Sequence, residues 1–266
     1  MKGKQQYYFT IGLSIVFILT VLCIVSLFYT PYAPEAMSGS EKLLPPSLHH
    51  LFGTDNFGRD IFSRAMKGIG TTFGIAVSSV LIGGILGVCI GAITGYFGGL
   101  FDEICMRIND SIVAFPSILL ALILMSAFGT GKNNVILALA IVFIPSFSRM
   151  TRSEFLKNIH MDYVKSAKLM GVSSIRIIFV HILPNTISTI GSMFAIAFNT
   201  AVLAEAGMSY LGIGVQPPQA SLGRMLSESQ MYLAKAPWMA IFPGVCIILL
   251  ALSFSMISEA LSEKGV

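Results

Sequence analysis

The chain has 266 residues, 55% of them hydrophobic and only 11% charged, with a mean hydropathy of +0.79. Soluble domains carry about 25% charged residues, so this composition excludes a water-soluble globular protein and requires lipid around much of the surface. The net charge of +4 is small and gives no sign of a nucleic-acid partner; where the charges fall says more than their sum.

A bilayer crossing needs about 20 mostly apolar residues. Six charge-free runs approach that length: Phe9–Phe28, Thr71–Tyr96, Ser111–Phe128, Val135–Phe147, Ile187–Ala206 and Met239–Ile257. The expectation is an all-α integral membrane protein with six transmembrane helices. The first run follows Lys2 and Lys4; it is long for a signal-peptide core, and Tyr29-Thr30-Pro31 makes a poor cleavage site, so it reads as an uncleaved anchor. The second run holds Gly83, Gly87, Gly91 and Gly95, a four-residue repeat that forms a smooth stripe on one helix face. Such a stripe lets a neighbouring helix backbone come close, either as a fixed packing contact or as a sliding one. The fourth run is short and contains Pro145. Met208 to Gly223 is uncharged too, but Gly212, Gly214, Pro217 and Pro218 mark it as a loop.

Between the fourth and fifth runs lies a basic segment, 149–181, with Arg149, Arg152, Lys157, Lys165, Lys168 and Arg176 against Glu154 and Asp162. With the N-terminal lysines it satisfies the positive-inside rule and places this loop and both termini in the cytoplasm. Arg59, Arg64 and Lys67 on the external side run against that rule. Within the loop, Leu156, Ile159, Tyr163, Ala167 and Met170 step by three or four, as one helix face does. Gly171 interrupts the pattern, Ser173 offers an N-cap, Ile175, Ile178, Phe179 and Ile182 form a second stripe, and Pro184 ends it. Two short amphipathic helices joined at a glycine are more than topology requires. They suit a surface offered to a partner.

Few residues suggest chemistry. Cys23, Cys89, Cys105 and Cys246 form no CxxC pair and read as packing residues. His49 and His50 are adjacent without further ligands, so no metal site is expected. Glu205 near the end of the fifth run is a candidate for the transport path or for a structural hydrogen bond, because ionisable groups at membrane depth are functional candidates by default. Asn199, a turn or two deeper, lines the path or ties two helices. Arg107 and Asp110 read as a local salt bridge or cap, and Asp55, Arg59 and Asp60 as a charged helix start or a contact for an external protein. No GxxxxGK[ST] phosphate loop is present, so no ATP binding is expected of this chain. On residues alone, a transporter subunit, a self-sufficient secondary transporter and a membrane anchor all remain open, although the halves do not repeat as secondary-transporter halves often do.

The loop decides between them by resemblance. Lys165-Ser166-Ala167, Gly171, His181 and Leu183-Pro184 resemble the EAA loop of the membrane subunits of binding-protein-dependent ABC importers. Gly171 and Leu183-Pro184 match in spacing, whereas Lys165 stands in the family's glutamate position. Tyr163-Val164, Ala167, Gly171, Ser173 and His181-Ile182-Leu183-Pro184-Asn185, in a coupling loop that starts at Asp162, are closer still to the peptide and nickel branch. So are Phe52-Gly53-Thr54-Asp55-Asn56-Phe57-Gly58-Arg59-Asp60, Ala114-Phe115-Pro116, and Glu205-Ala206 with Ser209 to Pro218. The chain looks like the "C" permease of dipeptide, oligopeptide and nickel systems. The resemblance implies a type I ABC importer permease fold: an N-terminal anchor helix and external segment (1–70), then a core permease domain (71–260) whose cytoplasmic loop, 149–185, couples to an ATPase. It implies a second, homologous permease in a heterodimer, two cytoplasmic ATPase subunits that hold the ATP and Mg, and an extracytoplasmic binding protein. The setting implied is a bacterial cell membrane and the cargo a peptide, nickel or a metal chelate (metallophore). The chain itself is then a non-catalytic subunit without a cofactor.

Overall fold

The computed structural model describes residues 2–262, with side chains placed from 7 to 260. The side chains of Lys2 and Lys4, and residues 263–266, lie outside the described residues. The architecture is helical: α1 (Lys2–Phe28), α2 (Ile61–Phe97), α3 (Gly99–Val113), α4 (Ser117–Phe128), α5 (Lys132–Asn158), α6 (Asp162–Leu169), α7 (Ser174–Tyr210), α8 (Leu222–Ser229) and α9 (Trp238–Ser262). Among the described residues the only β pairing is an isolated bridge between Thr54 and Asp60.

Among the described residues five helices are long and apolar enough to cross a membrane, and α3 with α4 makes a sixth crossing if the bent pair counts as one span. The straight third span expected over 111–128 is therefore replaced by two helices bent by 91°. The break falls at Ala114-Phe115-Pro116, because the proline ring disfavours a helical conformation in the residue before it. α3 carries Asp102, Glu103, Arg107 and Asp110, and two of these acids reach α5: Asp102 accepts two hydrogen bonds of 2.6 Å from Arg152, and Asp110 one of 2.8 Å from Arg149. Arg107 pairs with Glu103 at 2.8 Å rather than with Asp110.

Other expected spans prove too short. α5 continues through the buried Pro145 to Asn158, so residues 149–158, expected in a loop, extend the span. α2 begins ten residues before Thr71 and crosses positions 70 and 71 unbroken, so the domain boundary expected there falls inside a helix. At 37 residues, α2 and α7 are each about 55 Å long, well beyond the roughly 30 Å hydrocarbon core.

The centre of the bundle is the α2–α5 pair. A Cβ built at Gly83, Gly87, Gly91 or Gly95 would lie 2.5, 2.5, 2.3 or 2.7 Å from Ala140 O, Phe147 Cβ, Ser148 O or Phe155 Cβ respectively. All four glycines face α5, and any side chain there would force the two backbones apart. Such close approach is how helices associate where lipid supplies no hydrophobic drive between them. α7 and α9 pack around this pair, and α1 lies against α9, where a Cβ at Gly12 would be 2.8 Å from Ser253 O.

Candidate functional site

The bundle has two differently built ends. At one, α5 stops at Asn158 and the chain folds into a hairpin of α6, Gly171 and the start of α7. The turn is closed by backbone hydrogen bonds from Gly171 N to Lys168 O (3.0 Å) and from Val172 N to Ala167 O (3.1 Å). This is the Schellman pattern, in which the residue after the C-cap takes a left-handed conformation. Gly171 has φ +74°, where a side chain is strained, yet a Cβ there would meet nothing within 4 Å. Only the backbone demands glycine.

The hairpin docks on the bundle through Val164, Ala167, Ile177, Ile178 and Ile182, packed with Ala92 and Phe155. The inward face thus differs from the expected one. The chain turns between Asn158 and Asp162, so Leu156 and Ile159 do not share a helix with Tyr163, Ala167 and Met170. Tyr163 and Met170 point outward, as do Ile175 and Phe179 of the second stripe. Of the two small residues at Ser166 and Ala167, Ala167 is buried in its own protein and Ser166 is exposed. Ser173 occupies the N-cap position of α7 but its hydroxyl makes no capping bond. Pro184 does not end the helix: residues 177–182 form a π-helical turn, Leu183 N bonds Ile178 O five residues back, and α7 runs on through the proline. A widened turn of this kind absorbs the hydrogen bond that proline cannot donate.

Three large apolar residues crown the hairpin: Leu169 is 89% exposed, Met170 75% and Ile175 70%. The flanking polar groups are held locally. Lys165 donates to Asp162 at 3.1 Å, the Tyr163 hydroxyl to Asn158 at 2.8 Å and Asn185 to His181 O at 2.8 Å, while Lys168 lies 5.1 Å from the Tyr96 ring centre. His181 and Leu183 are half-buried and Pro184 is exposed.

At the opposite end, residues 29–60 fold over the mouth of the bundle. Asp60 caps α2 by accepting from Ser63 N at 2.8 Å, and His50 Nδ1 lies 2.9 Å from its other oxygen. His50 is therefore the buried partner of a capping carboxylate. Among the described residues no three His, Cys, Asp or Glu side chains gather as a metal site. Asp55 Oδ1 accepts from the backbone of Phe57 and Arg59, and Asp55 Oδ2 from Arg59 Nε at 2.6 Å. Glu228 on α8 accepts from Arg59 (2.8 Å), Arg64 (3.0 Å) and Arg224 (3.3 Å). Arg59 and Arg64 are 6% and 2% exposed, so Asp55 and Arg59 are internal and not a contact surface. Sequence reasoning missed Glu228, which stands 164 residues from Arg64 with no local motif around it.

The two path candidates part company. Glu205 is completely buried; its Oε1 accepts from the Ser209 hydroxyl at 2.7 Å, the hydroxyls of Thr72 and Ser221 approach the same carboxyl, and Oε2 has no hydrogen bond. Ser209 in turn accepts from Val215 N at 3.1 Å, and Gly214 and Gly223 lie so close to Ser209 and Ala206 that a Cβ would collide. Glu205 thus sits where α7, α2 and the returning loop 211–221 meet. Asn199 has a buried Oδ1 with no hydrogen bond, so that atom ties no helices together. A separate cleft of about 200 Å³ between α4, α5 and α7, lined by Ser117, Leu139, Phe143 and Thr200 among others, contains neither residue.

Residues 87–264 match the family described as the binding-protein-dependent transport system inner membrane component. The chain belongs to that family. The hairpin, the α7–α9 return and the Gly87, Gly91 and Gly95 part of the α2–α5 seam fall within the matched residues. This permease is 37% identical to the dipeptide transport system permease protein DppC of Alkalihalophilus pseudofirmus over 98% of its own length and 86% of the relative's. It is 36% identical to the glutathione transport system permease protein GsiD of Escherichia coli O1:K1, over 98% and 87% of the two chains. A chain from a structure of inward-facing conformations of the MetNI methionine ABC transporter shares the fold, with a TM-score of 0.57 at 18% identity, covering 74% of this chain and 96% of that one. The protein is a multi-pass membrane permease subunit of an ABC importer, all-α in fold.

Proposed function

We infer that this permease imports short peptides and that the hairpin of α6 and the start of α7 is its contact with a cytoplasmic ATPase. The observation that carries the coupling is the hairpin's two-sidedness. Five buried aliphatic residues fasten it to the bundle, while Leu169, Met170 and Ile175 stand exposed at its tip. Exposed apolar clusters beyond a membrane mark interaction sites. The tip moves with α7 and α5 because it is packed on both, so a push on it reaches the core. Gly171 sets the angle between the two limbs. Lys165, bonded among the described residues only to Asp162, leaves the acidic contact of the wider family without a counterpart.

This reading places the hairpin and both termini on the cytoplasmic side of a bacterial cell membrane, as the charge of the 149–181 segment favours, and residues 29–60 and α8 outside. Two ATPase subunits would hold the ATP and Mg, a second homologous permease would complete the pathway, and an extracytoplasmic binding protein would deliver cargo. Peptide is preferred over nickel or a metal chelate because the relatives' names are of dipeptide and glutathione systems.

The test is reconstitution with the ATPase, partner permease and binding protein. Replacing Leu169 and Met170 together by aspartate should leave the permease inserted and folded but abolish ATPase co-purification in mild detergent. Retention of the ATPase by that variant refutes the docking assignment. Uptake of radiolabelled dipeptide, with no uptake of free or chelated nickel, tests the cargo.

A further inference from the structure

The end opposite the hairpin contains a cavity of about 360 Å³, walled by the 33–35 segment, the first turns of α2, the start of α5 and the loop 218–220. Its charged lining is Glu35, Arg64, Lys67 and Lys132. These cations are not equivalent. Arg64 is committed, with Glu228 at 3.0 Å and Asp55 at 3.7 Å. Lys67 and Lys132 have no carboxylate within ion-pair distance among the described residues, Glu35 included. The network behind the wall supplies no surplus acid either: Arg59, Arg64 and Arg224 share Asp55 and Glu228. Counting network and lining together, five cations face three anions.

An isolated surface lysine is ordinarily just solvated. Two features set these apart. On the orientation proposed above they stand on the outer side close to the membrane, where the topology rule disfavours Lys and Arg; Arg59 and Arg64 beside them are neutralised, and Lys42 and Lys235 at the same end lie outside the cavity lining. They also converge on a concavity from two different helices, α2 and α5. The volume falls within the range of small-ligand sites. Thr71, one turn below Lys67, adds a hydroxyl to the lining.

We propose that this cavity is a carboxylate subsite: Lys67 and Lys132 receive the free carboxylate of a short peptide as it leaves the binding protein for the membrane pathway. The inference rests on the import of peptides proposed above. Lysines suit a transient station, because a flexible ammonium releases an anion more readily than the rigid bidentate fork of arginine.

The experiment uses the complete complex in proteoliposomes, with binding protein loaded by trialanine in excess. Uptake by K67Q/K132Q should fall about tenfold, and K67R/K132R, which keeps both charges, should recover most of it. The concentration of binding protein that half-maximally stimulates ATP hydrolysis should stay within twofold of the parent in both variants. Uptake by K67Q/K132Q within twofold of the parent overturns the proposal. So does equal loss in the Gln and Arg variants, which would mean that shape and not charge matters. A shift in half-maximal stimulation that accounts for the lost uptake also overturns it, because the lysines would then dock the binding protein. Failure of the parent complex to take up trialanine at all refutes peptide import itself, a result distinct from any of these.

Discussion

The two ends of this bundle solve opposite problems. The end that carries residues 29–60 is closed by charge: Glu228 collects three arginines, Asp55 holds two backbone amides as well as Arg59, and Asp60 caps α2 while pairing with His50. The buried ionic groups there are internally matched. The hairpin end is closed by backbone hydrogen bonds and aliphatic packing, and leaves three large apolar side chains bare at the tip. A segment that satisfies itself is architecture. A segment that is ordered yet leaves Leu169, Met170 and Ile175 in the open is built for something else to cover. By the same logic Lys67 and Lys132 are the unmatched cations of the cavity beside that matched cluster.

The contrast can be broken from either side. The largest effect is expected from Glu228→Ala, which leaves Arg59 and Arg64 with Asp55 as their one shared carboxylate. Removing one partner of a buried ionic cluster costs about 3–5 kcal/mol, and a sharp drop in the thermal stability of the detergent-solubilised permease would register it. Glu228→Gln should recover part of the loss through its remaining oxygen. If Glu228→Ala melts like the parent, the matched-charge account of this end is wrong.

Next comes the seam that joins the ends. Gly91→Val places a branched side chain against Ser148 O and Thr151. Overpacking of this kind costs about 1–3 kcal/mol, and more if the backbones cannot separate. Gly74→Ala on the same helix, where a Cβ meets nothing within 4 Å, should be neutral or slightly stabilising. Equal behaviour of the two variants would show that the glycine stripe is not a packing device.

At the hairpin the expected stability changes are smaller and the functional ones larger. Gly171→Val forces a branched residue to φ +74°, a strain of about 1–2 kcal/mol, confined to the turn. ATP hydrolysis should become uncoupled from uptake while insertion stays normal, and Gly171→Asn, whose short polar side chain tolerates this conformation, should retain coupling. The smallest change is expected from Lys165→Ala, because its only ion pair among the described residues is with the highly exposed Asp162; exposed pairs contribute under about 1 kcal/mol, so the melting curve should not move.

Much of this was legible from the chain itself. Charge-free runs marked the spans, because lipid imposes a length and an apolarity that few residues escape. The four-residue glycine repeat announced a close helix contact, although not that α5 was the partner. Gly171 was legible as a turn because a break in periodicity at glycine has few other meanings. Span ends were read poorly: α2, α5 and α7 all run past their apolar stretches into charged turns, since helices do not stop where the hydrocarbon does. The hairpin's buried face was misread because periodicity was counted across the turn at 159–161, which no glycine or proline announces. Asp55 and Arg59 looked like a surface because their partner, Glu228, is far away in sequence.

Composition, periodicity and a few glycines therefore determined that the chain is a helical membrane protein with an ordered loop beyond the bilayer. These features follow from solvent and backbone, which act on each segment separately. Which helix the glycines face, which carboxylate neutralises Arg59 and Arg64, where Glu205 is buried, and which lysines are left over were decided only by tertiary structure. Each depends on which segment comes to lie beside which, and long-range pairing leaves no local signature in the chain.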